Sequence, residues 1–120
     1  MNDIIITIDP RSNRIRMFKT FLAHLDDPAY VTLLIDTKNK VLAITDKKLG
    51  NKTAIKLNIA RKNKHSAEIY SKSLIKAIFS LLELEDTTSS YHFEGYMDNE
   101  KRTAFFPLSK ATKLTVKESK

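Results

Sequence analysis

The fold depends most on residues 67–82, which read AEIYSKSLIKAIFSLL. The opening AEIY predicts a short strand, and the remainder repeats apolar residues at the spacing of an α-helix. The apolar face of this helix would consist of Leu74, Ile75, Ile78, Phe79 and Leu82, and the opposite face of Lys72, Ser73, Lys76, Ser80 and Glu83. The sequence therefore predicts a strand that leads directly into an amphipathic helix packed against a sheet.

An earlier part of the chain has the same order of elements. Residues 4–8 predict a strand, and residues 9–12 would lead from it into a helix. Ser12 or Asn13 would cap this helix, which should end near residues 26–27 because Pro28 disfavours helical conformation in the residue before it. Its apolar face would consist of Ile15, Phe18, Leu22 and Leu25, and its other face of Arg16, Thr20 and Ala23.

Each predicted helix is followed by alternating segments that are typical of strands. After the first helix these are residues 30–36, 41–45 and 53–59, with Gly50 and Asn51 as a turn signal before the last of them. After the basic connector of residues 61–65 and the second helix, they are residues 90–97, 102–108 and 113–117. The prediction is one α+β domain over residues 1–120, with antiparallel sheets and both helices on one side.

The two halves are predicted to be copies of one strand-helix-three-strand unit, related by an internal pseudo-twofold axis. The first repeat covers about residues 3–60 and the second about residues 66–117. The apolar residues of the two helices align with an offset of about 57 positions. In that alignment Phe18, Leu22 and Leu25 correspond to Ile75, Phe79 and Leu82.

Composition narrows the classes of function. The chain has 21 Lys and Arg against 14 Asp and Glu, a formal charge of +7, which favours a polyanionic partner such as nucleic acid. Alternatively, the excess of positive charge reflects only a lysine-rich composition, and no ligand binds to it. The absence of cysteine agrees with a cytoplasmic protein, and no apolar run is long enough to predict a membrane span.

Enzymatic chemistry is not expected. His24, His65 and His92 have no metal-ligand spacing, and with only two glycines the chain lacks a glycine-rich phosphate loop. The carboxylates at the ends of the predicted helices are Asp26 and Asp27 in the first half and Glu83, Glu85 and Asp86 in the second. They have no neighbouring nucleophile in the sequence, so we interpret them as loop residues. We therefore expect no cofactor, no metal and no catalytic residue.

In its topology and in the basic residues of its helices, the chain resembles one domain of a DNA sliding clamp, the ring-shaped processivity factor of polymerases. In that family six such domains close a ring, and lysines and arginines on the helices face DNA. The resemblance implies phosphate contacts from four positions, Arg16, Lys19, Lys72 and Lys76, to which Arg14 at the start of the first helix is a further candidate. Such contacts would be independent of base sequence, and four neutralised phosphates would give a log-log salt slope of roughly −3.6.

This chain departs from the family because it has one domain where clamp subunits have two or three. A ring would require self-association of several copies, in DNA replication or in the DNA processing of a mobile element, together with other replication or DNA-processing proteins. The TATA-binding saddle is another fold with an internal twofold, and there the sheet faces DNA instead. A different function is also open: a protein-protein interaction module or structural homo-oligomer that pairs edge strands and has no nucleic-acid ligand.

Overall fold

The computed structural model describes residues 4–47, 54–84 and 86–114. The predicted turn at Gly50 and Asn51, and residues 115–117 of the predicted last strand, lie outside these ranges. The described residues form an α+β fold of antiparallel strands and two helices. They contain no helix that is long and apolar enough to cross a membrane.

The strands form two sheets. The six-stranded sheet has the order β11-β8-β1-β2-β7-β6, and the five-stranded sheet has the order β5-β3-β4-β10-β9. The elements in chain order are β1 (Ile5–Asp9), β2 (Arg14–Phe18), α1 (Lys19–Ala23), β3 (Tyr30–Asp36), β4 (Val41–Thr45), β5 (Ile55–Asn58), β6 (Arg61–Lys62), β7 (Ser66–Tyr70), α2 (Lys72–Leu82), β8 (Tyr91–Glu94), β9 (Tyr96–Asp98), β10 (Thr103–Pro107) and β11 (Thr112–Lys113).

Several predictions made from local pattern are confirmed. The strand at residues 67–70 runs into the amphipathic helix α2, whose Ser71 hydroxyl caps the helix by accepting the N–H of Leu74 at 3.2 Å. The predicted hairpin is β3 and β4, which pair antiparallel with Leu33 opposite Ile44. In these segments the apolar residues recur without interruption at the period of one secondary structure. The structure that each segment prefers locally is therefore the one that it adopts in the fold.

The predicted first helix is wrong over most of its length. Residues 14–18 form β2, which pairs with β1 and β7, and the helix that follows contains only Lys19–Ala23. Asp9 and Asn13 close a hairpin turn: the Asp9 carboxylate accepts the N–H of Arg11, and Asn13 has a φ of 53°. Asn tolerates this left-handed conformation, so residues 9–13 form a turn instead of a helix cap. The alignment of Phe18 with Ile75 is therefore also wrong, because Phe18 is a strand residue.

The strand count was also underestimated, because the described residues contain eleven strands where eight were predicted. The connector at residues 61–65 includes β6, and the segment at residues 90–97 is divided by Gly95 between the two sheets. A Cβ on Gly95 would lie 2.6 Å from the Phe106 ring and even closer to the Phe105 carbonyl oxygen. Only glycine fits this close approach of two backbones.

One hydrophobic core joins both sheets and both helices. Alternate residues of the strands point into it, as Ile15 and Met17 do on β2. Phe21 of α1 packs edge-on against Phe106 of β10, with ring centroids 5.6 Å apart. Burying each of these rings contributes about 2 kcal/mol or more to stability, so this contact fixes α1 against the five-stranded sheet.

Candidate nucleic-acid interface

Helix α2 presents two lysines on its exposed side. Leu74, Ile75 and Ile78 are buried, whereas Lys72 and Lys76 are exposed. Lys72 and Lys76 are four residues apart and therefore lie one helical turn apart on the same face. Among the described residues, neither lysine takes part in an ion pair.

Lys72 occupies the first turn of α2, where the helix macrodipole is positive. A cation at this end is unfavourable for the helix by about 0.3–1 kcal/mol, and the Ser71 hydroxyl caps the helix there. The lysine, the helix terminus and Lys76 together create a local positive potential. Such a potential attracts phosphate groups.

Lys19 lies apart from the α2 lysines. It is the first residue of α1 and is exposed, and its backbone N–H is bonded to the carbonyl of His65 at 2.8 Å. The pairing of β2 with β7 places Phe18 opposite Ser66 and Arg14 opposite Tyr70. The two helices therefore begin at opposite ends of a strand pair that is roughly 16 Å long, so Lys19 and Lys72 would contact different phosphates.

Arg14 and Arg16 lie on β2, not on a helix. They project from the outer face of the six-stranded sheet, where both contact Glu68 of β7. The Nη2 atom of Arg16 is 3.0 Å from the carboxylate of Glu68, and Nη2 of Arg14 is 3.0 Å from that of Asp9. The five residues predicted to contact phosphates therefore do not form one surface, since Arg14 and Arg16 lie on the sheet and the three lysines lie on the helices.

Glu68 is buried, and its charge is compensated by its neighbours. The hydroxyl of Tyr70 donates to it at 2.7 Å, and this bond, together with the guanidinium groups of Arg16 and Arg14, holds the pKa of Glu68 below its ordinary value of 4.5. Burial acts in the opposite direction but does not outweigh these contacts. Glu68 therefore remains ionised at neutral pH.

Sequence reasoning did not identify Glu68 as the partner of these arginines, because its partners are distant along the chain. A signal for the strand was present, however, in the order Arg14-Ile15-Arg16-Met17, which alternates with a period of two. The loop carboxylates also have structural partners, since Asp26 accepts from Arg102 at 3.1 Å. Within the described residues, no group of three His, Asp or Glu side chains is placed to hold a metal ion.

Comparison with known proteins did not identify relatives: no family model, curated protein or solved structure matches this chain.

Proposed function

We propose that this protein is a non-enzymatic, clamp-like DNA-associated protein that contacts phosphates without regard to base sequence. Lys72, Lys76 and Lys19 carry this function. The supporting observation is that all three are exposed and that none is neutralised by an ion pair among the described residues. Lysine contacts phosphate as a point charge, and such contacts carry no information about the base sequence of the DNA.

Two observations support the proposed internal repeat. The hairpin of β1 and β2 precedes α1, as the hairpin of β6 and β7 precedes α2. In the six-stranded sheet β2 pairs antiparallel with β7, and in the five-stranded sheet β4 pairs antiparallel with β10. An internal pseudo-twofold would exchange the members of each pair. It would also make Lys19 and Lys72, the first residues of the two helices, equivalent.

The clamp-like proposal includes self-association, because one domain is too small to encircle a duplex. The five-stranded sheet ends in β5 and β9, which have unpaired outer edges among the described residues. Strand edges present N–H and C=O groups that pair readily with another chain. A homo-oligomer built in this way would act in replication or in the DNA processing of a mobile element.

The test is fluorescence anisotropy of a labelled DNA duplex over a salt series. Wild type should bind weakly with a log-log slope of about −2.7, because three lysines neutralise three phosphates. Lys72→Glu/Lys76→Glu should weaken binding at low salt about 10-fold or more and reduce the slope to about −0.9.

The matched control is Lys38→Glu/Lys101→Glu, which changes the net charge equally at two exposed turn residues of the five-stranded sheet. It should keep the wild-type slope. Equal weakening by both variants, or no binding by wild type, would contradict the proposal.

A second candidate function is a protein-protein interaction module. It is favoured by a row of apolar side chains across the outer face of the five-stranded sheet, in which Leu34, Ala43, Phe105 and Tyr96 lie opposite one another on four strands. Tyr96 is 58% exposed and stacks on Phe105, with ring centroids 5.5 Å apart. If this row is an interface, Tyr96→Glu should lower the mass measured by sedimentation and leave duplex affinity unchanged.

A further inference from the structure

The outer face of the six-stranded sheet carries a polar groove with a volume of about 870 Å³. Arg14 and Arg16 of β2 and Thr7 and Asp9 of β1 line its floor. This volume falls within the usual range for sites that bind small molecules. The groove does not include any of the three lysines assigned to duplex binding.

The two arginines of the floor are held in place by carboxylates of the neighbouring strands. Arg16 uses Nε and Nη2 on one oxygen of Glu68, at 3.3 and 3.0 Å, and Arg14 uses Nη1 on Glu68 and Nη2 on Asp9. A guanidinium has five N–H donors, so most donors of each arginine are not used by these carboxylates. Because Glu68 is buried and also bonded to Tyr70, it orients both guanidinium groups before any ligand arrives.

The walls of the groove add further cations and hydroxyl groups. Arg11 is exposed in the turn between β1 and β2, and Lys113 lies on β11 on the other side. Lys113 is fixed at 2.7 Å from Asp86, and its ammonium group, with the bonds from Ser89 and Thr88, holds the pKa of Asp86 well below its ordinary range. The remaining hydroxyl groups in the lining belong to Ser12 and Ser90.

We infer that this groove binds the phosphate group of a phosphomonoester, with the guanidinium groups of Arg14 and Arg16 as its main donors. Arg14 and Arg16 lie on the same face of β2 with one residue between them, so their Cα atoms are roughly 6.7 Å apart. Arginine in this arrangement offers paired, planar donors that match the oxygens of phosphate. The site goes beyond the proposed function, because it lies on a different face and takes a compact ligand.

Charge favours an anion in the groove despite the acidic residues nearby. Four cations line it, Arg11, Arg14, Arg16 and Lys113, against one lining carboxylate, Asp9. Glu68 forms ion pairs with both arginines and Asp86 with the lysine, and these two carboxylates reduce the excess to a single positive charge. Affinity therefore depends mainly on oriented hydrogen bonds, whereas the helix lysines would act as point charges.

The experiment is an NMR titration of the arginine Nε–H signals with inorganic phosphate in a phosphate-free starting buffer. The signals of Arg14 and Arg16 should shift and saturate, whereas that of Arg102, which is bonded to Asp46 away from the groove, should not. Arg16→Gln should weaken binding about 10-fold or more, as expected for hydrogen bonds to a charged group. No saturable shift at Arg16, or an unchanged affinity in Arg16→Gln, would overturn the inference.

Two further variants keep the test decisive. Arg11→Gln changes only the exposed rim and should weaken phosphate binding about 2- to 5-fold, even if Arg16→Gln fails to fold. Lys72→Gln/Lys76→Gln should leave phosphate binding unchanged and weaken duplex binding, so failure of either proposal can be recognised separately. An unchanged phosphate affinity in Arg11→Gln would contradict the inference that the groove binds phosphate.

The same titration distinguishes the two sources of a phosphomonoester. A nucleoside 5′-monophosphate is compared with a single-stranded oligonucleotide that carries a 5′-phosphate and with its 5′-hydroxyl form. Equal affinity for the two phosphorylated ligands would show that a nucleoside monophosphate is sufficient for the groove. Tighter binding of the 5′-phosphorylated oligonucleotide than of both the monophosphate and the 5′-hydroxyl oligonucleotide would identify a strand end. Equal binding of the 5′-hydroxyl and 5′-phosphate forms would contradict a phosphomonoester site.

Discussion

At the scale of single residues, Gly95 shows how closely the two sheets meet. It joins β8 of the six-stranded sheet to β9 of the five-stranded sheet, and its N–H donates to the carbonyl of Ile4 at 2.8 Å. Phe106, whose ring a Cβ would contact, is completely buried and packs against Phe21. The chain can therefore pass from one sheet to the other here only if position 95 has no side chain.

Gly95→Ala should destabilise the protein by about 2–3 kcal/mol, because the new methyl group must displace the Phe105 carbonyl or the Phe106 ring. The measurement is urea denaturation followed by circular dichroism. Glu94→Ala, at the exposed neighbouring position, is the control and should change the free energy of unfolding by less than about 0.5 kcal/mol. If Gly95→Ala also changed the free energy of unfolding by less than about 0.5 kcal/mol, the Phe105 carbonyl and the Phe106 ring would be able to move aside, contrary to this account.

At the scale of elements, the identity of β2 determines the candidate sites. Residues 14–18 fit two patterns at once: Ile15 and Phe18 belong to a helical spacing with Leu22, while Arg14 to Met17 alternate as in a strand. Pairing with β1 and β7 on both sides resolves the ambiguity in favour of the strand. Contacts that are distant in sequence override local preference here, so the sequence alone could not decide.

The same reasoning explains how much of the candidate site was predictable. The exposure of Lys72 and Lys76 follows from the periodicity of α2, which is a local property. The pairing of Arg14 and Arg16 with Glu68 depends on the register of β2 and β7 and has no local signal. Helix and hairpin elements with a single period were therefore predictable, whereas the sheet order and the groove on the six-stranded sheet were not.

Glu68 links β2 to β7, and its removal should weaken both. Glu68→Gln should lower the free energy of unfolding at pH 7 by about 2 kcal/mol, because charge-assisted bonds from Arg14, Arg16 and Tyr70 are lost. The check is chemical denaturation over a pH series, with the exposed Glu100→Gln as the control.

The pH dependence of this difference has a defined sign. The folded-state pKa of Glu68 lies below its ordinary value of 4.5, so the stabilisation is fully present above about pH 4.5 and is lost as the pH falls through the folded-state value. The gap between wild type and Glu68→Gln should therefore narrow in acid. A gap that is constant down to the acid transition would show that Glu68 does not titrate in the way its contacts require.

At the scale of the whole molecule, the chain combines a net charge of +7 with cations of two kinds. The arginines of β2 are held by carboxylates on the outer face of the six-stranded sheet, whereas the lysines at the starts of the helices have no ion-pair partner among the described residues. The first arrangement provides oriented donors, and the second provides point charges that follow a phosphate backbone. The proposed duplex contact and the proposed phosphate groove therefore depend on different residues.

The central claim, that a DNA duplex lies against the helix lysines, is tested most directly by mapping the backbone amide shifts of the ¹⁵N-labelled protein during titration with a short duplex. We predict that shifts concentrate in the first turns of α2, around Lys72 and Lys76, and at Lys19 at the start of α1, and that they decrease as salt is added. Shifts confined to the outer face of either sheet, or no shifts at low salt, would contradict the claim.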